Sequence, residues 1–311
     1  MFPFGRVKRY QPGLAALGVS ARGVCLTRVV REGARPPRLV AYDYKPLAAG
    51  DSAESVLAQL AREHGLKRSH CTTVLTDSDY KLLLTEAPDV PADELKAAIR
   101  WRVKDLIDFH INDAALDVFD VPGQEGAAAR EMYVVAARAQ AIQSRVDLLE
   151  AAGVNLEVID IPELAQRNIA ALLPEDAQGV ALLSFDERGG LITITRQGFL
   201  YLSRTLATSA RDLEDAQARA AHFDQVVLEV QRSLDYYESH FRQAPIRNLI
   251  LAPLAFDTTA LTDYLGANLN AQVRLLDLAP LIEAGGEIPT ALPGVCLATL
   301  GAALRQEVKA L

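Results

Sequence analysis

The run GVALLSFDERGGLITITRQGFLYLSR, Gly179 to Arg204, decides the fold. Three short apolar segments are separated by two turn signals, Asp186-Glu187-Arg188-Gly189-Gly190 and Gln197-Gly198. Val180, Leu182 and Ser184, then Leu191 to Ile194, then Phe199 to Leu202, are residues that suit a pleated, packed surface. The spacing predicts a three-stranded antiparallel meander. A second meander lies near the start: Leu14 to Val19, Val24 to Val30 as its hairpin partner, and Leu39 to Tyr44 with period-2 alternation.

The segments C-terminal to the two meanders are also alike. After the first, Ser52 is placed to cap a helix running to about His64, with Val56, Leu57 and Leu60 apolar and Gly65 as its stop. Cys71 to Leu75 and Lys81 to Thr85 then read as strands. After the second come a long helical stretch from Ala210 to Phe241, a strand at Asn248 to Leu251 and a helix at Thr258 to Leu269. A strand at Gln272 to Leu276 and an apolar closing helix from Gly294 to Val308 finish the chain. The βββαβα pattern occurs twice, with no obvious identity between the copies. Two RNase H-like halves facing each other across a cleft make an α/β, actin-like fold, the architecture of the actin, sugar-kinase and Hsp70 superfamily.

An insert of about Ala87 to Asp160 separates the halves. Pro88 and Pro91 open it, and Asp93-Glu94 start a helix where negative charge meets the N-terminus favourably. Leu95, Ala98, Ile99, Val103 and Leu106 form that helix's apolar face. Ala115 to Val121 and Glu131 to Ala137 read as strands around a Gly-Gln-Glu-Gly loop, Gln140 to Ala151 as a helix ended by Gly153, and Leu156 to Asp160 as a strand. The division is therefore 12–86 for the first half, 87–161 for a small α+β subdomain, and 162–311 for the second half with its long helix 210–241.

Composition narrows the function. With 311 residues, half of them hydrophobic and 23% charged, the chain has ample core. A net charge of −8 excludes nucleic acid as the expected partner, since phosphate binding needs a concentrated basic surface. Cys25, Cys71 and Cys296 are few, odd in number and far apart, as in a reducing cytoplasm with buried free thiols. No apolar run approaches a membrane span and no signal-peptide core comes after the start. The first residues mix Phe2 and Phe4 with Arg6, Lys8 and Arg9, a tail too short to anchor alone and read as a frayed terminus.

The run VPADELKAAIRWRVKDLIDF…LDVFDV…EMYVVAARAQAIQSRVDLLEAAGVNLEVIDIPELAQRN resembles the inserted 1C subdomain of the PilM family. PilM proteins are actin-like cytoplasmic proteins of type IV pilus assembly, related to the division protein FtsA. Leu228 to Phe241 and Leu300 to Arg305 are similar to the family's long and closing helices. Compact length and eroded loops look most like the MshI branch of mannose-sensitive haemagglutinin pilus systems. The cytoplasmic part of the type II secretion L protein is the nearest other relative.

The resemblance implies where a nucleotide would sit. Each of two hairpin turns, one per meander, supplies an Asp for Mg²⁺ through its waters and Gly for close approach to phosphate. At the first turn, Gly18-Val19-Ser20-Ala21-Arg22-Gly23, the Asp position is Gly18 and the Gly position is Ser20; a two-residue shift gives Ala16, again no carboxylate. Cys25 stands where the family often has Lys. Counted back from Arg196, the second Asp falls at Ser184 and its Gly at Asp186. The adenosine motif, usually Ser-Gly-Gly, falls at Ala252-Pro253-Leu254, and Pro253 removes a backbone donor. All three motifs lack their chemistry, so the expectation is a pseudo-ATPase with no catalytic residue, no metal and no ATP/Mg cofactor. The acidic turn at Asp186 in shifted register is the counter-reading.

Other candidates are weaker. Trp101 groups with Glu94, Ala97, Asp105 and Asp108 at 100° per residue, off the apolar face; it is either packed internally, the favoured reading, or part of a partner site. His70 and Cys71 are adjacent on a strand and point to opposite faces, which argues against a metal pair. Asp235-Tyr236-Tyr237-Glu238 reads as surface and packing. The resemblance further implies a partner: the N-terminal cytoplasmic tail of a PilN- or MshJ-like bitopic inner-membrane protein, bound between the insert and the first half, with a link to the motor ATPase and to the membrane through that partner. The alternatives are an ATP-binding protein whose nucleotide gates partner binding, with Asp186 turned into the cleft, a type II secretion L-like scaffold, and a sugar kinase, whose catalytic Asp context is missing.

Overall fold

Strands form where short apolar runs meet Gly and polar turns, and two of the three sheets among the described residues repeat one topology. The computed structural model describes residues 10–306 apart from 34, 49, 92, 125–129, 216 and 285–293. The basic-aromatic start, part of the Gly-Gln-Glu-Gly loop and Val308, the expected end of the closing helix, lie outside the described residues; that helix itself stops at Ala303, short of the expectation.

The first meander is β1 (Leu14–Val19), β2 (Gly23–Val30) and β3 (Arg38–Pro46). Next comes α1 (Ala53–Glu63), its Ser52 side chain accepting from the Ser55 backbone N–H at 3.1 Å as the cap requires. After β4 (His70–Val74), a small unit inserts: β5 (Tyr80–Glu86), α2 (Leu95–Val103), β6 (Ala114–Asp120) and β7 (Glu131–Arg138). α3 (Ala139–Ala151), β8 (Leu156–Asp160) and α4 (Pro162–Ala170) lead into the second meander. That meander is β9 (Val180–Phe185), β10 (Gly190–Arg196) and β11 (Phe199–Leu206). The remainder is α5 (Ala210–Glu214), α6 (Arg219–Phe241), β12 (Asn248–Leu251), α7 (Thr259–Asn268), β13 (Gln272–Leu275), β14 (Glu283–Ala284) and α8 (Gly294–Ala303).

The first sheet runs β14-β3-β2-β1-β4-β8 and the second β11-β10-β9-β12-β13. Without the short β14, both have the same order. In each, the meander is antiparallel and the next two strands add in parallel. The duplication read from the two meanders is therefore carried through the whole of each sheet.

Four further elements, β5, β8, the long helix and α2, behave differently from the expectation. β5 and β8 change places: β5 pairs with β7 in the small sheet β5-β7-β6, while β8 is the fifth strand of the first large sheet. Order along the chain does not reveal a pairing partner, because alternation reports a buried face and says nothing of what covers it. The long helix is broken between α5 and α6. A capping box between Ser209 and Asp212 starts the short helix, and the Asp215 carboxylate accepts from the Gln217 N–H at 2.9 Å beyond its end. Among the described residues between Leu213 and Phe223, no large apolar side chain is buried to hold one continuous helix on the core. Finally, α2 ends at Val103, so Leu106 leaves the expected apolar face and is 54% exposed.

α4 and α8 cross between the two large sheets. One apolar cluster joins Ala16 and Cys25 of the first sheet, Ala165 and Ile169 of α4, Leu297 and Leu300 of α8, and Val180, Leu182 and Ile250 of the second sheet. At the crossing a Cβ on Gly301 would come within 2.1 Å of the Ala165 carbonyl oxygen, so only glycine lets the helices approach this closely. Asn168 of α4 donates to the Gly301 carbonyl at 2.9 Å.

Candidate functional site at the facing hairpin tips

The β1–β2 and β9–β10 turns carry the phosphate-loop positions that the sequence resemblance implies. Gly18 lies in β1 opposite Cys25, with Ala16 in the core behind it. The Ser20 hydroxyl accepts from the Arg22 and Gly23 backbone N–H groups at 3.3 and 3.2 Å and donates to the Gly23 carbonyl at 3.0 Å. The Ser20, Arg22 and Gly23 N–H groups are thus all bonded inside the turn.

The second turn is closed in the same way. Ser184 donates to the Gln166 side-chain carbonyl at 2.7 Å. Gln166, buried on α4, also donates to the Leu182 carbonyl at 2.5 Å and the Thr193 hydroxyl at 3.0 Å. Asp186 accepts from the Arg188 and Gly189 N–H groups at 2.7 and 3.1 Å, and its other oxygen lies 3.2 Å from the Arg188 guanidinium. The glycines here serve packing: a Cβ on Gly189 would meet the Leu206 carbonyl oxygen at 2.5 Å, and one on Gly190 the Phe185 ring at 2.7 Å.

The two tips also bind each other. Arg22 of the first pairs with Glu187 of the second, and Arg188 pairs with Asp77 of the β4–β5 turn. Three carboxylates, Asp77, Asp186 and Glu187, face two guanidiniums, so the cluster is net negative and opposes a polyphosphate. Each pair is largely exposed and adds little stability by itself.

Behind this clasp lies a buried acid that the motif positions did not single out. Tyr80 donates to Glu163 at 2.5 Å, and burial, with the carboxylates of Asp160 and Asp77 nearby, pushes the Glu163 carboxyl up to about 7. Asp160 is also buried and raised by desolvation; Arg305 pairs with it at 3.0 Å and the Ile161 N–H donates at 2.9 Å. The missed signal was Pro162-Glu163 opening a helix, with Gln166 three residues on and therefore on the same face.

At the third motif, Ala252 is buried and its N–H donates to the Leu183 carbonyl at 2.8 Å, while Leu254 packs on the second-half core. Trp101 contradicts the favoured internal packing: it is 72% exposed, with the Lys104 ammonium 4.5 Å from its ring centroid. His70 pairs with Glu157 at the surface, while Cys71 is buried, as opposite strand faces demand. Tyr237 is buried and Tyr236 packs against the same core. Among the described residues, Asp43, Glu63 and His64 are the group whose spacing could hold a metal ion, and none of them belongs to the hairpin tips. Lys45 and Gln59 already bind Glu63. No helix of the described residues is long and apolar enough to cross a membrane.

The solved PilM-PilN type IV pilus biogenesis complex contains a chain with a TM-score of 0.71 to this one, at 19% identity, over 97% of this chain and 100% of that one. The cytoplasmic domain of EpsL, an inner membrane component of the type II secretion system of Vibrio cholerae, gives 0.52 at 13% identity, over 94% and 96%. A Bacteroides thetaiotaomicron protein with an actin-like ATPase fold and unknown function gives 0.51 at 10% identity, over 91% and 96%. No curated protein matches the chain in sequence. At these identities the likeness is one of fold, and that fold is actin-like. The family model for type IV pilus assembly protein PilM matches residues 51–208, about half of the chain, and the chain belongs to that family.

Proposed function

We propose that this chain is a cytoplasmic pseudo-ATPase scaffold of a type IV pilus assembly platform. One observation carries the reading. The groups at the phosphate-loop positions are already spent on internal bonds: Ser20 and Asp186 on their own turns, Ser184 on Gln166, and Arg22 on Glu187. ATP entering the cleft would have to break these bonds, meet a net negative cluster and find the carboxylates of the tips engaged where Mg²⁺ needs them.

The scaffold binds the cytoplasmic N-terminal tail of a PilN- or MshJ-like inner-membrane protein and so reaches the membrane and the pilus motor ATPase through it. Likeness to a chain of the PilM-PilN complex, together with the PilM family match, supports this partner class. Capture of an extended peptide needs apolar contacts and free backbone groups and no catalytic residue. Within the family we favour the mannose-sensitive haemagglutinin branch, on the compact length and the eroded loops.

Calorimetric titration of the full chain tests both parts. Mg-ATP is expected to give no saturable heat, and the partner's tail peptide to give a saturable isotherm. Saturable ATP binding that Asp186→Ala abolishes would establish the rival, nucleotide-gated reading.

A further inference from the structure

Two of the three cysteines meet from opposite ends of the sequence. Cys25 lies on β2 and Cys296 on α8, both fully buried in the core shared by the two sheets. Thr27 donates to the Thr299 carbonyl at 2.9 Å. Thr27 stands two residues from Cys25 on the same strand face, and Thr299 three residues from Cys296 on the same helix face, so this bond brings together the two faces that carry the cysteines. Cys25 and Cys296 share one core cluster with Tyr42 packed against it, and the Tyr42 hydroxyl donates to the Cys296 sulfur at 3.6 Å. The Cys296 thiol is held below its ordinary value, first by the neighbouring Cys25 side chain and, against the opposing effect of burial, by the Tyr42 hydroxyl. Burial, together with Cys296, keeps Cys25 protonated. Cys71 stands apart in another cluster, its thiol directed at the Leu66 and Ser69 carbonyls.

We propose that Cys25 and Cys296 are a peroxide-sensitive dithiol that closes reversibly to an intramolecular disulfide. The Cys296 thiolate attacks one oxygen of hydrogen peroxide. The O–O bond breaks, and hydroxide leaves and takes up a proton as water, giving a sulfenic acid on Cys296. The Cys25 sulfur then attacks that sulfur, and its proton departs with the sulfenic oxygen as a second water. Two electrons pass from the thiol pair to the peroxide, and a dithiol reductant of the thioredoxin class reverses the step. Because both sulfurs are buried, the reaction proceeds when α8 lifts locally from β2. Closure fastens α8 to β2, and since α8 crosses α4 at Gly301 it stiffens the junction between the halves.

The test is peroxide treatment of the full-length protein, then unfolding, alkylation and peptide mapping by mass spectrometry. The expected product links Cys25 to Cys296, leaves Cys71 alkylated and disappears with dithiothreitol. Cys25→Ser should trap Cys296 as a sulfenic acid, detected as its dimedone adduct. Tyr42→Phe should slow that trapping several-fold at neutral pH and move its pH profile upward, which a purely structural role of the hydroxyl would not do. Links involving Cys71 or a second molecule, or a pair that stays fully alkylatable while Cys71 oxidises, overturn the proposal.

Discussion

Glu163 and Gln166 show how a residue that ordinarily seeks water is put to work inside this fold. Glu163 is buried against Tyr80 with its carboxyl raised to about 7, against 4.5 for an ordinary glutamate. Between those two values the folded chain holds a proton that the unfolded chain has released, so stability falls as pH rises from 4.5 through 7 and is level above. Glu163→Gln should remove that slope. Urea midpoints measured at about pH 5 and about pH 8 should differ less in the variant than in the parent, the difference corresponding to at most about 3 kcal/mol. An identical slope in both proteins would mean that Glu163 is not the titrating group. Gln166 ties Ser184, Leu182 and Thr193 together. Gln166→Ala leaves those groups unpaired and should cost about 3 kcal/mol in the same assay. The expectation of a spent nucleotide site rests in the sequence on Gly18, Ser184 and Pro253, where the family resemblance calls for a carboxylate or a glycine. The sequence did not show Gln166 or Glu163, because a polar residue on a short helix reads as solvated until a second sheet is known to cover it.

Among the elements, the crossing of α4 with α8 and the free face of α2 make opposite demands on substitution. Alanine normally improves an exposed helix position over glycine by about 1 kcal/mol. At Gly301 the sign should reverse, because the new methyl meets the α4 backbone and the helices must separate. Gly301→Ala is expected to lower stability by about 3 kcal/mol, read as a drop in the thermal midpoint; an unchanged or higher midpoint would show that the crossing is looser than described. Trp101 is the contrary case. Since it is largely exposed, Trp101→Ala should change stability by less than about 0.5 kcal/mol. If the partner's tail docks beside α2, the same change weakens the peptide isotherm; an unaltered isotherm places the tail elsewhere. Strands such as Leu14–Val19, Leu156–Asp160 and Asn248–Leu251 were legible to the residue, since a β-rich apolar run between turn formers has few other solutions. The hairpin partner of Leu14–Val19 was legible too, while the long-range partner of Leu156–Asp160 was not, and the exchange of β5 with β8 is the result.

For the molecule as a whole, the facing tips decide how the halves sit together. Pairs as exposed as Arg22–Glu187 and Arg188–Asp77 weaken with salt, so their stability contribution is small, below about 1 kcal/mol each. The double change Arg22→Ala with Arg188→Ala should leave the thermal midpoint nearly unmoved. Solution scattering should nonetheless record a larger radius of gyration, as the two tips part; an unchanged radius would show that α4 and α8 set the closure without them.

The position of α8 also has a consequence for how the protein is made. This helix covers β1, β2 and β4, and β14 pairs with β3, so these strands are completed by residues made more than two hundred positions after them. At ribosomal speeds of about 5–20 residues per second, the first sheet waits roughly 15–50 s for its cover. A chain ending at Leu276 should therefore leave that apolar face bare, bind hydrophobic dyes and aggregate. During synthesis the nascent chain must be shielded, which makes this protein a predicted client of whatever holds unfinished chains at the ribosome exit.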